Sequence, residues 1–221
     1  LVMVTVESTF TKQDILRDLS PQTPFVLYGI NWDDYEEVVR EFDGSSMQTV
    51  YNHGILKVRS KSSEHEYFIE FLKQLLGILS RTLRQRVFHF GSPTVKKSFA
   101  QKGVEPDACF YVSRANLVSG QANIDVSQNV PDIVVEVDIH HSSEDKFEIY
   151  SAFGVSEFWL YDGNNLKIYQ LKDRKYIEIS ASAEISNLTS AILTEFLNRS
   201  KTEDQFELLI EFENKLKNNE L

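Results

Sequence analysis

The chain holds a single cysteine, Cys109, in 221 residues. No disulfide can form within it, and the composition suits a reducing compartment. Glycine (9) and proline (5) are scarce, which argues against long flexible linkers. No apolar run approaches the roughly 18 residues of a membrane-crossing helix, so no membrane association is expected. The first residues, LVMVTVESTF, lack both a basic leader and a long apolar stretch. No secretory signal is read there, and a cytoplasmic location is the expectation. A Gly-rich phosphate loop, a Cys/His metal cluster and a nucleophile elbow are all missing. An excess of basic residues is missing too. Lys and Arg number 23 against 33 Asp and Glu, a net charge of −10, whereas nucleic-acid-binding surfaces are usually basic.

What is present is an ordinary globular composition, 42% hydrophobic and 25% charged. Lys73, Arg81, Arg84, Arg86, Lys96, Lys97 and Lys102 form a local basic stretch. It reads equally as a phosphate-facing patch or as a solvated helix face with its flanking turn. Periodicity divides the chain into alternating elements. TKQDILRDL reads as a short helix, residues 24–30 as a strand, and NWDDYEEVVREF as a helix capped by Asn31. MQTVY and GILKVRS are strands around an Asn52-His53-Gly54 turn. A long helix from Ser63 to Arg84 has a Ser63/Glu66 capping box and an apolar stripe through Phe68, Leu72, Leu75 and Leu79. VFHFG, PTVKKSF, DACFYV and DIVVEVDI read as strands, followed by a helix over 143–153. EFWLYD, LKIYQL and KYIEIS complete the strands, and two helices parted near Ser200 end the chain, as a cap or a dimer element. The plan is α/β with mainly antiparallel strands.

Two strands carry the chemistry. In 132–138, side chains alternate faces. Ile133, Val135 and Val137 take one face; Asp132, Val134, Glu136 and Asp138 take the other. Glu136 and Asp138 thus project side by side from an apolar strand, an arrangement that calls for a counter-ion. A hard divalent cation suits oxygen ligands of this kind. Asp107 opens the earlier strand DACFYV, and if the two strands pair it approaches Glu136. Asp132, at the start of its strand, reads better as a turn and strand cap. Cys109 reads as a small buried hydrophobe.

The following helix starts near Ser142 and Asp145, which puts Lys146 in its first turn, against the helix dipole. Tyr150 is its i+4 neighbour. Such an amine beside metal-bound carboxylates could steady the attacking water or the developing charge. The competing reading is an exposed lysine paired to Glu144, Asp145 or Glu148. His140 and His141 point to opposite faces and are treated as loop residues. Glu64 and His65 stand at the start of the long helix.

The ordered set Glu-His at a helix start, Glu-Pro-Asp, Pro-Asp-x-x-x-Glu-x-Asp and Asp-Lys-Phe…Tyr…Gly-Val-x-Glu-x-Trp resembles the Uma-type family, bacterial domains of unassigned function grouped with restriction endonucleases. The resemblance spans about residues 24–200. It implies a restriction-endonuclease-like α/β fold, with a mixed, mainly antiparallel sheet flanked by helices. The implied division is an N-terminal extension over 1–23 with a short helix, a nuclease-like domain over 24–186 and a C-terminal helical extension over 187–221. It also implies a PD-(D/E)XK site. Asp107 is then the first acid, Glu136 the second, and Lys146 the catalytic lysine moved onto the helix, because the usual lysine position holds Asp138. Asp107, Glu136 and Asp138 become the metal ligands for Mg2+ or Mn2+, with Glu64, His65 and Tyr150 bordering the site. The expectation is a metal-dependent endonuclease acting on DNA, as a homodimer. The alternative is a degenerate nuclease fold kept as a nucleic-acid-binding or protein-interaction module.

Overall fold

A computed structural model of the chain describes residues 3–5, 24–60, 62–139 and 143–221. TKQDILRDL, His140, His141 and Ser142 lie outside the described residues.

The strands are β1 (Met3–Thr5), β2 (Phe25–Tyr28), β3 (Met47–Asn52), β4 (Ile55–Ser60), β5 (Phe88–His89), β6 (Val95–Lys97), β7 (Lys102–Val104), β8 (Ala108–Tyr111), β9 (Ile133–Val137), β10 (Glu157–Tyr161), β11 (Leu166–Lys172) and β12 (Lys175–Ile179). The helices are α1 (Trp32–Phe42), α2 (Ser63–Thr82), α3 (Ala115–Val118), α4 (Glu144–Phe153), α5 (Ser190–Arg199) and α6 (Gln205–Asn218). Among the described residues the strands form two six-stranded sheets, β1-β2-β4-β3-β7-β6 and β12-β11-β10-β9-β8-β5. Pairing is antiparallel except for β1 with β2 and β9 with β10. The β9–β10 pair is parallel because α4 is the crossover between them. No helix among the described residues is long and apolar enough to cross a membrane.

Local chemistry sets the turns. The two residues joining β3 to β4, His53 and Gly54, have φ of 46° and 84°, the paired positive values of a tight hairpin turn. Asn31 caps α1, its side chain accepting from Asp34 N at 2.9 Å. The long helix begins one residue earlier in cap terms than the Ser63/Glu66 box predicts. Ser62, in extended backbone conformation, is the cap and accepts from His65 N at 3.2 Å. That shift makes Ser63 the first helical residue and places His65 on the inward face.

The second sheet is buried on both sides. Ile133, Val135, Val137, Phe110 and Trp159 pack under α2, α5 and α6. Cys109, Tyr111, Val134 and Phe158 face α4 and the Val50, Val95 and Val104 side chains of the first sheet. The C-terminal helices close the first of these cores through Phe196, Leu208, Phe212 and Leu216. Three apolar residues at i, i+4 and i+8 of α6 therefore explain its docking onto α2. A third cluster joins α1 to the first sheet, with Tyr35 stacked on Tyr51 at 4.6 Å between centroids. A Cβ at Gly103 would sit 2.0 Å from Tyr35 Oη, so only glycine lets that ring lie across β7.

Candidate active site

Strands β8 and β9 pair antiparallel, Ala108 opposite Val135 and Cys109 opposite Val134. One step further along this register sets Asp107 beside Glu136, and Asp107 N donates to Val135 O at 3.1 Å. Glu136 shares a face with Val134 in a strand covered on both sides, and is 0% exposed. Asp107 is 3% exposed. Burying two carboxylates together in this way demands donors and cations from elsewhere in the fold.

The fold supplies them from four elements. From α4, Lys146 Nζ lies 2.5 Å from Glu136 Oε2, and one turn later Tyr150 Oη donates to Glu136 Oε1 at 2.5 Å. From α2, His65 Nε2 lies 2.5 Å from Asp107 Oδ2. From β3, Gln48 Nε2 donates to Asp107 Oδ1 at 2.6 Å. From β4, Arg59 Nη2 reaches Asp107 Oδ1 at 3.4 Å and Glu136 Oε2 at 3.3 Å, while its Nε donates to Gln48 Oε1 at 2.9 Å. Val137 N also donates to Asp107 Oδ2 at 2.8 Å. Glu105, two residues before Asp107, is held by Thr49 Oγ1 at 2.8 Å, which fixes the approach to β8.

These surroundings push the two acids apart. Burial raises the Glu136 carboxyl to about 7, although Lys146 works against it. Burial would raise Asp107 as well, but the His65 hydrogen bond and the charges of His65, Lys146 and Arg59 outweigh it. They hold its carboxyl well below the usual carboxylate range. Burial and the adjacent Glu136 carboxylate raise the Tyr150 phenol well above its ordinary value, so it stays a donor. Arg59 would lose its proton more readily on burial, but Asp107 and Glu136 reverse that and strengthen its charge.

Of the residues the sequence nominates, the structure brings together Asp107, Glu136, Lys146, His65 and Tyr150. Lys146 is 2% exposed, so the exposed-lysine reading fails. Asp138 is bonded to the start of α4. Its two oxygens accept from Ser143 N at 2.5 Å and Ser143 Oγ at 2.6 Å, tying β9 to the start of α4. Burial raises its carboxyl, with the Ser143 bonds opposing. Glu64 is exposed, one position round the helix from His65. Asp132 braces the loop after β8 by accepting from Val112 N at 2.7 Å and Arg114 N at 2.9 Å, the structural role its position suggests. The basic stretch does not form one patch. Lys73 pairs with Glu70, Lys96 with Glu36, and Lys102 is buried against Glu148 and Asn52.

Sequence reasoning missed Arg59 and Gln48. Both sit in strands it identified, and they face each other across the β3–β4 ladder. The available signal was the alternation of β4, where Leu56 and Val58 are fully buried and Lys57 and Arg59 share the opposite face. Lys57 pairs with Asp145 of α4, so this polar face is the one that meets the acids.

The donor set fits a hard divalent cation in kind. Asp107 and Glu136 offer hard oxygens, and Arg59 already shows that a position bridging both acids suits a cation. His65 Nδ1 is buried with no hydrogen-bond partner among the described residues, leaving one ring nitrogen for a water or ligand. No group of three or more His, Cys, Asp or Glu able to hold a metal occurs among the described residues. An ion there would have two protein carboxylates as its acidic ligands and take most of its remaining shell from water, as Mg2+ commonly does.

A search of curated proteins finds no match to this chain. Among solved structures, the chain is similar to a protein from Anabaena variabilis ATCC 29413 titled a "putative nuclease belonging to DUF820". The TM-score is 0.54 at 12% identity, covering 76% of this chain and 99% of that one. At that identity the likeness is one of fold. The model of the Uma2 family, described as "Putative restriction endonuclease", matches residues 32–198. That span contains both acids, the lysine on α4 and most of the two sheets, and the chain belongs to the Uma2 family.

Proposed function

We propose that the protein is a Mg2+- or Mn2+-dependent nuclease that hydrolyses phosphodiester bonds in DNA and acts as a homodimer. The observation that carries this reading is the Lys146–Glu136–Asp107 arrangement. The lysine comes from α4 rather than from the strand, yet it reaches the second acid at 2.5 Å. Asp107, Glu136 and the Val137 carbonyl would hold the metal, which supplies Lewis-acid stabilisation at the phosphate. Glu136 carries the oxygen donors and Lys146 keeps them oriented. The Lys146 ammonium also offers N–H donors to negative charge developing on a phosphate oxygen. Tyr150 fixes the other oxygen of Glu136, so the carboxylate cannot rotate away. His65 and Gln48 do the same for Asp107. Cutting both strands of a duplex with one site per chain favours a two-fold pair of chains.

Plasmid nicking in Mg2+ or Mn2+ tests the reading. Wild type should convert supercoiled DNA, and Asp107→Ala, Glu136→Ala and Lys146→Ala should lose that activity by at least about a hundredfold. Equal trace activity in wild type and Glu136→Ala would sink it.

One observation favours a second reading. Each oxygen of Asp107 and Glu136 already has a donor within the chain, so the acids can be a closed structural network. The chain is then a degenerate nuclease fold serving as a nucleic-acid-binding or protein-interaction module. Calorimetry with Mn2+ separates the two, because the second reading predicts no saturable binding, or binding indifferent to Asp107→Ala.

A further inference from the structure

Arg59 is the outermost member of the buried cluster. Its side chain is 12% exposed, against 0% for both acids and 3% for Lys146. One end of the guanidinium is fixed, with Nε 2.9 Å from Gln48 Oε1 directly across the strand ladder. The other end is loosely held, at 3.4 Å from Asp107 and 3.3 Å from Glu136. Strong charge-assisted bonds of this kind are shorter, roughly 2.7–2.9 Å. Arg59 therefore neutralises the acids more by its charge than by bonding. Lys146 is held more tightly, with Nζ 2.5 Å from Glu136 Oε2. Arg59 and His65, whose side chains are 12% and 9% exposed, are the partners of these acids nearest to solvent.

We propose that Arg59 is the built-in counter-cation of the metal-free site, holding the bridging position between Asp107 and Glu136, and that a divalent metal competes with it for that position. This inference rests on the metal-dependent reading above. In the competition the guanidinium has somewhere to go. It keeps its Gln48 tether at Nε and swings its Nη groups to the solvent side. There the planar fork suits a phosphate oxygen pair, so the group that guards the empty site greets the substrate in the loaded one. A doubly charged ion and a guanidinium about 4 Å apart repel appreciably even at a partly solvated site, so metal and guanidinium compete for the bridge.

Mn2+ binding to metal-stripped wild type, Arg59→Gln and Arg59→Lys tests the inference, read by calorimetry and by the spin resonance signal of free Mn2+. Arg59→Gln should bind about tenfold tighter than wild type or more. Arg59→Lys keeps the charge but loses the fork and the Gln48 tether, and should fall between. Thermal unfolding in EDTA checks that each variant is folded; should Arg59→Gln not fold, the gain in Arg59→Lys decides. Wild type that binds Mn2+ while the folded variants bind it equally or more weakly overturns the role of Arg59 and leaves the metal reading standing. Absence of Mn2+ binding in every protein removes the metal reading and this inference with it.

Discussion

Lys146 Nζ stands 2.5 Å from Glu136 Oε2, across the loop that joins β9 to α4, and both side chains are shut away from solvent. A buried pair of this kind costs most when only one partner is removed, because the other charge is left uncompensated. Lys146→Met should destabilise the protein by about 3–5 kcal/mol. The double change Lys146→Met with Glu136→Gln should cost clearly less than the sum of the two single changes. Urea unfolding of the four proteins gives the cycle, and strict additivity would show that the pair is not coupled.

The raised Glu136 carboxyl predicts an unusual pH profile for the metal-free protein. Its ordinary value is 4.5 and its folded value about 7. The folded state therefore holds this proton more tightly than the unfolded chain. The associated stability is fully present below pH 4.5 and is lost as pH rises through 7. Asp107 has the opposite sign. Its folded carboxyl is depressed below 3.8, so its stability is present above that value and is lost on strong acidification. Thermal midpoints in EDTA should fall between pH 5 and pH 8, and Glu136→Gln should flatten that slope. A wild-type midpoint that climbs over this range contradicts the assignment.

Asp138 offers a test of task against position. Both its oxygens serve Ser143 at the start of α4. Asp138→Ala should cost about 1–3 kcal/mol, as when a charged acceptor of two hydrogen bonds is lost. Mn2+ affinity should change little beside the loss caused by Asp107→Ala. A matching loss of affinity in both variants would identify Asp138 as a metal ligand.

The C-terminal helix is predicted to be part of the stability of the whole. Phe212 is fully buried against Phe196 and the core under α2. Phe212→Ala should cost about 3–5 kcal/mol in chemical denaturation. A loss under about 1 kcal/mol would mean that α6 docks without contributing its burial.

Periodicity read β9 well because its pattern is local. The alternation of Ile133, Val135 and Val137 with Val134 and Glu136 describes the two cores that cover the strand. The cap at Asn31, the His53-Gly54 turn and the break at Ser200 were legible for the same reason, since each is decided within a few residues. The Ser63/Glu66 box failed by one residue because two adjacent serines offer the same side chain, and only the inward docking of His65 on Asp107 selects Ser62. The Ser143 partner of Asp138 was hidden for a similar reason. Strand alternation carries Asp138 to the face of Glu136, but the strand ends at Val137 and the chain turns toward Ser143.

The sequence by itself determined the neighbouring acids, the strands that carry them and a lysine in the first turn of α4, because side-chain direction within an element follows from its period. It also determined that Glu136 needed a partner, since a carboxylate among valines has no water to lean on. Only the tertiary structure decided which partners came. Arg59 and Gln48 belong to another sheet, 77 residues from Glu136 and 59 from Asp107 in the chain. Their arrival depends on how two sheets and a helix pack, and that packing is set by apolar surfaces with no local signature in the strands that bear the charge.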